Sequence, residues 1–286
     1  MKNYLSLIKF SHTIFALPFA MVGFFLAVFV AQNGVFTAEI GLKLILVLLC
    51  MIFARSAAMA FNRYIDRDID AKNPRTAQRE IPAGLITPKS ALFFIIANCL
   101  LFIITTYFIN VLCFYLSPIA LLVVLGYSYT KRFTALCHFV LGLGLSLAPI
   151  GAYIAVTAQF ELIPVLYSIV VLLWVAGFDI IYALQDEDFD KSLELNSIPT
   201  FLGKKRALLL STILHIICAV IVIIAAIMGN FGWLHWIGAI AFIGLLFYQH
   251  LLVKPNDLSK INLAFFTTNG VASVIFGIFV ILDLVI

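Results

Sequence analysis

Long apolar runs recur along the whole chain, and they constrain its fold more than any other feature. Nine segments of about 18 residues or more are apolar enough to cross a bilayer. Because a bilayer offers backbone groups no water, each segment predicts a helix. Only 11% of the residues are charged and 64% are hydrophobic, which excludes an ordinary soluble protein. The sequence predicts an all-α integral membrane protein, a single polytopic domain over residues 1–286. Its predicted transmembrane helices lie at about 12–32, 42–62, 90–109, 112–129, 136–157, 162–184, 207–228, 233–252 and 263–284.

The positions of the basic residues predict the orientation in the membrane. Of the 18 Lys and Arg residues, 17 lie in or beside the N-terminal tail and the connections after even-numbered spans; the other is Lys43. Since basic residues favour the cytoplasmic side, we expect the N-terminus inside and the C-terminus outside, in a bacterial-type inner (plasma) membrane. The long connections, about 63–89 and 185–206, then both lie on the cytoplasmic side. Long loops often carry function, so we expect the helices to surround a cavity that faces the cytoplasm.

The first of these connections carries an unusual concentration of charge. Residues 62–84 contain four carboxylates and five basic residues. Asn62, Asp66 and Asp70 are four residues apart, so on a helix each is turned only about 40° from the last and their oxygens share one face. Such oxygens suit Mg²⁺, which takes one or two carboxylates together with phosphates and water. A charged loop that merely follows the positive-inside bias would explain the arginines, but it would not explain aligned carboxylates at the end of an apolar helix.

A second acidic stripe occurs at the start of the other long connection. Asp179, Tyr182, Asp186 and Asp190 lie at offsets of 0, 3, 7 and 11, which also places them on one helical face. Both stripes end an even-numbered span, which indicates a pseudo-repeat with motifs at 62–70 and 179–190. Two carboxylate stripes facing each other across a cavity favour a site for a metal and a diphosphate.

Other polar residues allow two interpretations each. Arg55 lies two turns before Asn62 inside the second span, where it either binds an anion or forms a structural ion pair. Lys131 and Arg132 follow the aromatic end of the fourth span, either as interfacial residues or as diphosphate ligands. The five cysteines have no paired spacing and indicate neither disulfides nor a metal site. We expect isolated structural roles for His138, His215 and His250, and solvation at the outer end of the last span for Asp283.

The two acidic motifs resemble the signatures of the UbiA superfamily of intramembrane prenyltransferases. The first has the form NxxxDxxxD and the second the form DxxYxxxDxxxD, about 110 residues further on. The segments 75–84 and 127–132 also resemble flanking parts of that superfamily. Among its members, the chain is most similar to the 4-hydroxybenzoate polyprenyltransferases and their relatives in the futalosine route to menaquinone.

This resemblance implies Mg²⁺-dependent transfer of a polyprenyl group from its diphosphate to a ring carbon of a 4-hydroxybenzoate-like acceptor, in ubiquinone or menaquinone biosynthesis. It implies no nucleic acid and no obligate protein partner. The implied ligands are Asn62, Asp66 and Asp70 for one Mg²⁺, and Asp186 and Asp190 for another. Tyr182 would stabilise the allylic cation, and Asp179 would steer the acceptor or take its ring proton. The implied substrate-binding residues are Arg55, Arg63, Arg79, Lys131 and Arg132.

Other functions remain as alternatives. A prenyltransferase with this fold could act on a menaquinone precursor, on haem or on a glycerol-type lipid. A cation-coupled secondary transporter would also have pseudo-repeats and intramembrane carboxylates, but its site is expected near mid-membrane on broken helices. A divalent-cation channel is disfavoured because the nearby arginines would repel its cargo, and a scaffold protein would not need two aligned acidic stripes.

Overall fold

The protein is a bundle of long helices, and its computed structural model describes residues 2–7 and 15–286. Within these ranges no β-strand forms, and the only bridge is the isolated antiparallel one between Lys254 and Asp257. The α-helices are α1 (Lys2–Leu7), α2 (Leu17–Leu26), α3 (Ala38–Ile65), α4 (Arg67–Asp70), α5 (Pro88–Ile109), α6 (Val111–Thr130), α7 (Cys137–Thr157), α8 (Leu162–Ala183), α9 (Glu187–Ser192), α10 (Ile198–Met228), α11 (Trp233–Leu252) and α12 (Asn269–Val285). Single π-helical stretches extend α2 (Ala27–Ala31) and precede α12 (Leu263–Thr268), and a 3₁₀ turn (Leu184–Asp186) joins α8 to α9.

The predicted all-α integral membrane fold is confirmed. Eight helices in the described ranges are long and apolar enough to cross a membrane, and they correspond to the second to ninth predicted spans. The first predicted span, 12–32, is a shorter apolar helix, Leu17–Ala31, and residues 12–14 lie outside the described ranges. The orientation of the bundle stays a prediction.

Side-chain caps determine where several of the spans begin. The hydroxyl of Thr37 accepts a hydrogen bond from a backbone N–H in the first turn of α3, and Thr87 does the same for α5. Asn110 caps α6 in this way at 2.8 Å, and Ser197 forms a reciprocal capping box at the start of α10. Because the first N–H groups of a helix have no partner within it, these caps satisfy them and define the start of each span.

Close approaches at two glycines hold the central helix α8 between α7 and α10. A Cβ atom built on Gly142 of α7 would lie 2.5 Å from the carbonyl oxygen of Leu172 on α8. One built on Gly177 of α8 would lie 2.3 Å from the ring of His215 on α10. Small residues at such crossings let helices pack closely where lipid provides no hydrophobic driving force.

The start of α10 is separated from the rest of that helix by a break at Gly203. Its backbone has φ 74° and ψ 162°, a conformation that glycine adopts without steric cost. The residues before the break, from Ile198 to Leu202, form a short helical segment, and the apolar span follows it. This arrangement brings the first residue of α10 beside the site described below.

Candidate active site

A cavity of about 980 Å³ extends along the inside of the bundle. At one end its walls are charged and come from the last residues of α3, α6 and α8 together with both long connections. At the other end it reaches Ile109 and Ile154, which lie close to the final residues of α5 and α7. The walls between these ends are mostly apolar, with residues such as Val47, Leu116 and Leu147. The cavity therefore joins a charged mouth to a long apolar interior.

The first acidic motif lies at this mouth. Asn62 is in the last turn of α3, Asp66 stands between α3 and α4, and Asp70 ends α4. The amide of Asn62 donates to Oδ2 of Asp66 at 3.2 Å. Asp66 is 2% exposed and Asp70 5%, so both carboxylates are buried at the cavity wall. The three oxygen-bearing side chains thus line one cavity, although the chain changes from α3 to α4 between them.

Cations neutralise these buried carboxylates. The ammonium group of Lys131 lies 2.6 Å from Oδ2 of Asp66, and the guanidinium of Arg132 lies 3.2 Å from Oδ1. Arg79 donates to both oxygens of Asp70, at 2.8 and 2.9 Å. Burial raises the pKa of the Asp66 carboxyl, and the nearby Lys131 opposes that shift. A buried carboxylate without such partners would be strongly destabilising.

The second acidic motif lies on the opposite wall, where α8 passes into α9. Arg75 donates bidentate hydrogen bonds to the Asp186 carboxylate, from Nε to Oδ1 at 3.1 Å and from Nη2 to Oδ2 at 2.6 Å. Burial alone would lower the pKa of Arg75, but Asp186 outweighs it, and the pKa is raised. Arg75 also donates to the hydroxyl of Tyr182 at 3.3 Å. The Tyr182 ring stacks on Phe265 with centroids 4.0 Å apart. The side chain of Asp190 has no ion-pair partner among the described residues.

Contacts between distant parts of the chain hold the two walls together. Arg75 belongs to the first long connection and Asp186 to the second, so their ion pair spans the mouth and joins its two walls. A backbone hydrogen bond from Asn196 to the carbonyl of Lys131, at 2.7 Å, joins the second connection to the end of α6. The two motifs that the sequence separates by more than a hundred residues therefore share one site.

The predicted site residues divide according to where they lie. Arg132 does not line the cavity and contacts Asp66 from behind. Arg63 is buried at the wall, 3.8 Å from Glu80, and Arg55 lies deeper in the apolar part with no ion-pair partner among the described residues. The other predicted residues that line the cavity are Asn62, Asp66, Asp70, Arg79, Lys131, Asp179, Tyr182, Asp186 and Asp190.

Two site residues were not singled out by the sequence. Arg75 stood among several basic residues of its loop, and only the fold shows that it alone reaches Asp186 in the second motif. His138 was expected to be isolated, but its Nδ1 atom lies 2.7 Å from Oδ2 of Asp179. No spacing rule connects positions on α7 and α8, so the sequence contained no signal for this contact. The expected isolation of His215 and His250 is also wrong. Nδ1 of His215 lies 2.7 Å from Nε2 of His250, and neither residue lines the cavity.

The donor set fits a hard divalent cation whose remaining ligands come from a substrate. No group of three or more His, Cys, Asp or Glu side chains in the described ranges forms a metal cage by itself. What the cavity does offer is an amide oxygen and two pairs of carboxylates, on facing walls, each wall carrying cations. Mg²⁺ uses such partial sets, because phosphate oxygens and water supply its remaining ligands.

Comparison with known proteins agrees with this geometry. Residues 16–271 match the UbiA prenyltransferase family. The chain is 31% identical over 252 residues to the 4-hydroxybenzoate octaprenyltransferase of Aliivibrio fischeri strain MJ11, covering 87% of this chain and 86% of that one. The apo structure of a UbiA homologue from Aeropyrum pernix K1 is 31% identical, with a TM-score of 0.84 over 95% of this chain and 98% of the other.

A second solved structure has the same fold at lower sequence identity. It is a UbiA homologue from Archaeoglobus fulgidus bound to DMAPP and Mg²⁺, 22% identical, with a TM-score of 0.75 over 99% of both chains. With a family match over most of its length and relatives above 30% identity, this chain is an integral membrane enzyme that belongs to the UbiA prenyltransferase family.

Proposed function

We propose that this enzyme transfers a polyprenyl group from its diphosphate to a ring carbon of a 4-hydroxybenzoate-like acceptor, with Mg²⁺, in quinone biosynthesis. The observation that carries the proposal is the continuity of the cavity. Its charged mouth suits a metal diphosphate, and its apolar interior suits an isoprenoid tail. We place the mouth on the cytoplasmic side of the inner (plasma) membrane, because the long basic connections surround it.

The residues of the mouth divide the work of holding the diphosphate. Asn62, Asp66 and Asp70 would hold one Mg²⁺, and Asp186 and Asp190 a second. The bound metal would neutralise the leaving group, since a diphosphate leaves readily only when its developing charge is offset. The residues that we propose to bind phosphate oxygens are Arg63, Arg75, Arg79 and Lys131. Arg132, behind the wall, would hold Asp66 in place.

The apolar interior supports the ionisation step in a second way. An allylic cation reacts with water, so it must form where water is excluded. The Tyr182 ring lies at the boundary between the charged mouth and the apolar walls, with Phe265 against one face. The Arg75 guanidinium carbon is 5.7 Å from the Tyr182 ring centroid. We propose that Arg75 moves toward the diphosphate when substrate binds, which leaves the ring of Tyr182 to stabilise the cation.

Arg55 supports an acidic aromatic acceptor. It lies two turns deeper than Asn62 on α3, where Nε is buried and has no hydrogen-bond partner. A buried guanidinium group without a carboxylate is costly, and a carboxylate on the substrate would pair with it through charge-assisted hydrogen bonds. This position would orient the acceptor ring above the apolar part of the cavity. The name of the Aliivibrio fischeri relative is consistent with such an acceptor.

The proposal is tested by a transfer assay with purified protein in detergent. The reaction contains geranyl diphosphate, Mg²⁺ and 4-hydroxybenzoate, and mass spectrometry identifies the products. We expect prenylated 4-hydroxybenzoate, which disappears when EDTA removes the metal. If no product forms with this acceptor or with a panel of other acceptors, the proposed function is wrong. A substrate flux across vesicles without chemistry would instead support the transporter alternative.

A further inference from the structure

His138 lies at the start of α7 and contacts Asp179 on the neighbouring helix α8. Its Nδ1 atom is 2.7 Å from Oδ2 of Asp179, and its Nε2 atom is 3.2 Å from the backbone nitrogen of Ile198. The imidazole is 3% exposed, so it is almost entirely enclosed by protein. Because each ring nitrogen has its own partner, the ring is held in one orientation.

These two contacts determine which ring nitrogen carries the proton. The backbone N–H of Ile198 can only donate, so Nε2 of His138 accepts and bears no proton. The ring proton is then on Nδ1, which donates to the carboxylate of Asp179. His138 thus donates from Nδ1 and fixes the position of the Oδ2 atom of Asp179.

The free oxygen of Asp179 is available to the cavity. Asp179 lines the cavity, its side chain is 22% exposed, and its Oδ1 atom accepts no hydrogen bond from the described residues. Asp179 precedes Asp186 by seven residues, and seven helical residues span about 10 Å. It therefore lies below the carboxylates that we assign to the metal and toward the apolar interior, where the reacting carbon would sit.

We propose that His138 is a positioning residue that aims Asp179 at the ring proton of the acceptor. This inference rests on the proposed function. In the transfer, the C–O bond of the prenyl diphosphate breaks and the diphosphate leaves with the electron pair. A ring carbon of the acceptor forms a C–C bond with the allylic carbon. The ring C–H bond then breaks, its electrons restore the aromatic ring, and the proton goes to Oδ1 of Asp179. His138 keeps its own proton throughout.

The experiment compares three variants with acceptor that is deuterated, or not, at the ring positions beside the hydroxyl. His138→Leu keeps much of the volume but no hydrogen bond, whereas His138→Gln keeps one donor and one acceptor. His138→Asn is shorter and cannot reach both partners. Transfer is measured with geranyl diphosphate, Mg²⁺ and 4-hydroxybenzoate.

We expect the wild-type rate to be insensitive to deuterium, because proton removal is fast when Asp179 is aimed. In His138→Leu we expect kcat to fall about 10²-fold, within the usual range for a displaced general base. A primary isotope effect should appear, because proton removal becomes the slow step. His138→Gln should restore most of the rate and remove the isotope effect, and His138→Asn should lie between them.

The matched control is His235→Leu, which removes another enclosed histidine that does not line the cavity. His235 is 0% exposed and bonds to Tyr167 at 2.8 Å. This variant should lose stability without any isotope effect. If His138→Leu, or His138→Asn where the leucine variant does not fold, loses activity with no isotope effect, then His138 serves only the fold and the inference is overturned. If the wild type itself forms no prenylated product, the proposed function has failed, and this inference fails with it.

Discussion

The replacement of Arg55 by methionine tests how the acceptor is recognised. Arg55 has no ion-pair partner among the described residues, and we propose that the acceptor carboxylate pairs with it. A hydrogen bond to a charged group contributes about 1.5–3 kcal/mol. At about 1.4 kcal/mol per tenfold change, loss of this contact should raise KM for 4-hydroxybenzoate about 10- to 100-fold. KM for geranyl diphosphate should stay unchanged, because we propose that the diphosphate binds at the mouth and not beside Arg55.

The neutral methyl ester of 4-hydroxybenzoate is the control substrate for this prediction. It lacks the carboxylate, so wild type and Arg55→Met should use it with similar KM. The variant should also unfold at the same temperature as wild type or higher, since a buried guanidinium group without a partner does not stabilise the fold. Equal losses with the acid and the ester, or a lower unfolding temperature in Arg55→Met, would show that Arg55 makes a structural ion pair and would refute the reasoning.

Three further predictions follow from the site and from the packing. Asp66→Ala should lower kcat at least about 10³-fold, since bound metal ions supply several kcal/mol, while circular dichroism stays helical; near wild-type turnover with Mg²⁺ would contradict the metal assignment. Gly142→Ala should lower the unfolding free energy by about 1–3 kcal/mol, because its Cβ would meet a backbone carbonyl at 2.5 Å. The control Gly126→Ala meets nothing within 4 Å and should be neutral or stabilising in the same unfolding assay. The amide of Asn269 donates to the carbonyl of Phe265 at 3.0 Å in the π-helical stretch, and the Phe265 ring stacks on Tyr182. Asn269→Leu removes this hydrogen bond, so the ratio of hydrolysed prenol to transferred product should rise. An unchanged ratio would show that this stretch does not shape the site.

Much of the fold could be predicted because the length of an apolar run is a local property of the sequence. Each span is long enough to be recognised alone, and eight of the nine predicted spans appear as full helices. The acidic motifs could be predicted for the same reason, since carboxylates four residues apart share a face on any helix. Asn62, Asp66 and Asp70 line one cavity, although the chain passes from α3 to α4 at Asp66.

Contacts between distant segments could not be predicted from spacing. Arg75 and Asp186 are 111 residues apart, and their pairing depends on how the two connections fold over the mouth. Asp283 was expected to be solvated at the end of the last span. It also accepts hydrogen bonds from the backbone N–H groups of Gly232 and Leu234, at 2.7 and 3.1 Å, and so caps α11, a role that the sequence did not indicate. Both contacts depend on tertiary packing, which one sequence does not reveal.

The ion pairs at the mouth have a consequence for how its ligands bind. Asp66, Asp70 and Asp186 already have positive partners at 2.6–2.8 Å, so a metal arriving alone would have to compete with them. An anion arriving alone would have to compete with these carboxylates for the same Lys and Arg side chains. When both arrive, each releases the groups that the other needs, and by thermodynamic reciprocity each raises the affinity of the other by the same factor. The mouth would thus discriminate against free Mg²⁺ and free phosphate and respond to the metal diphosphate as a unit.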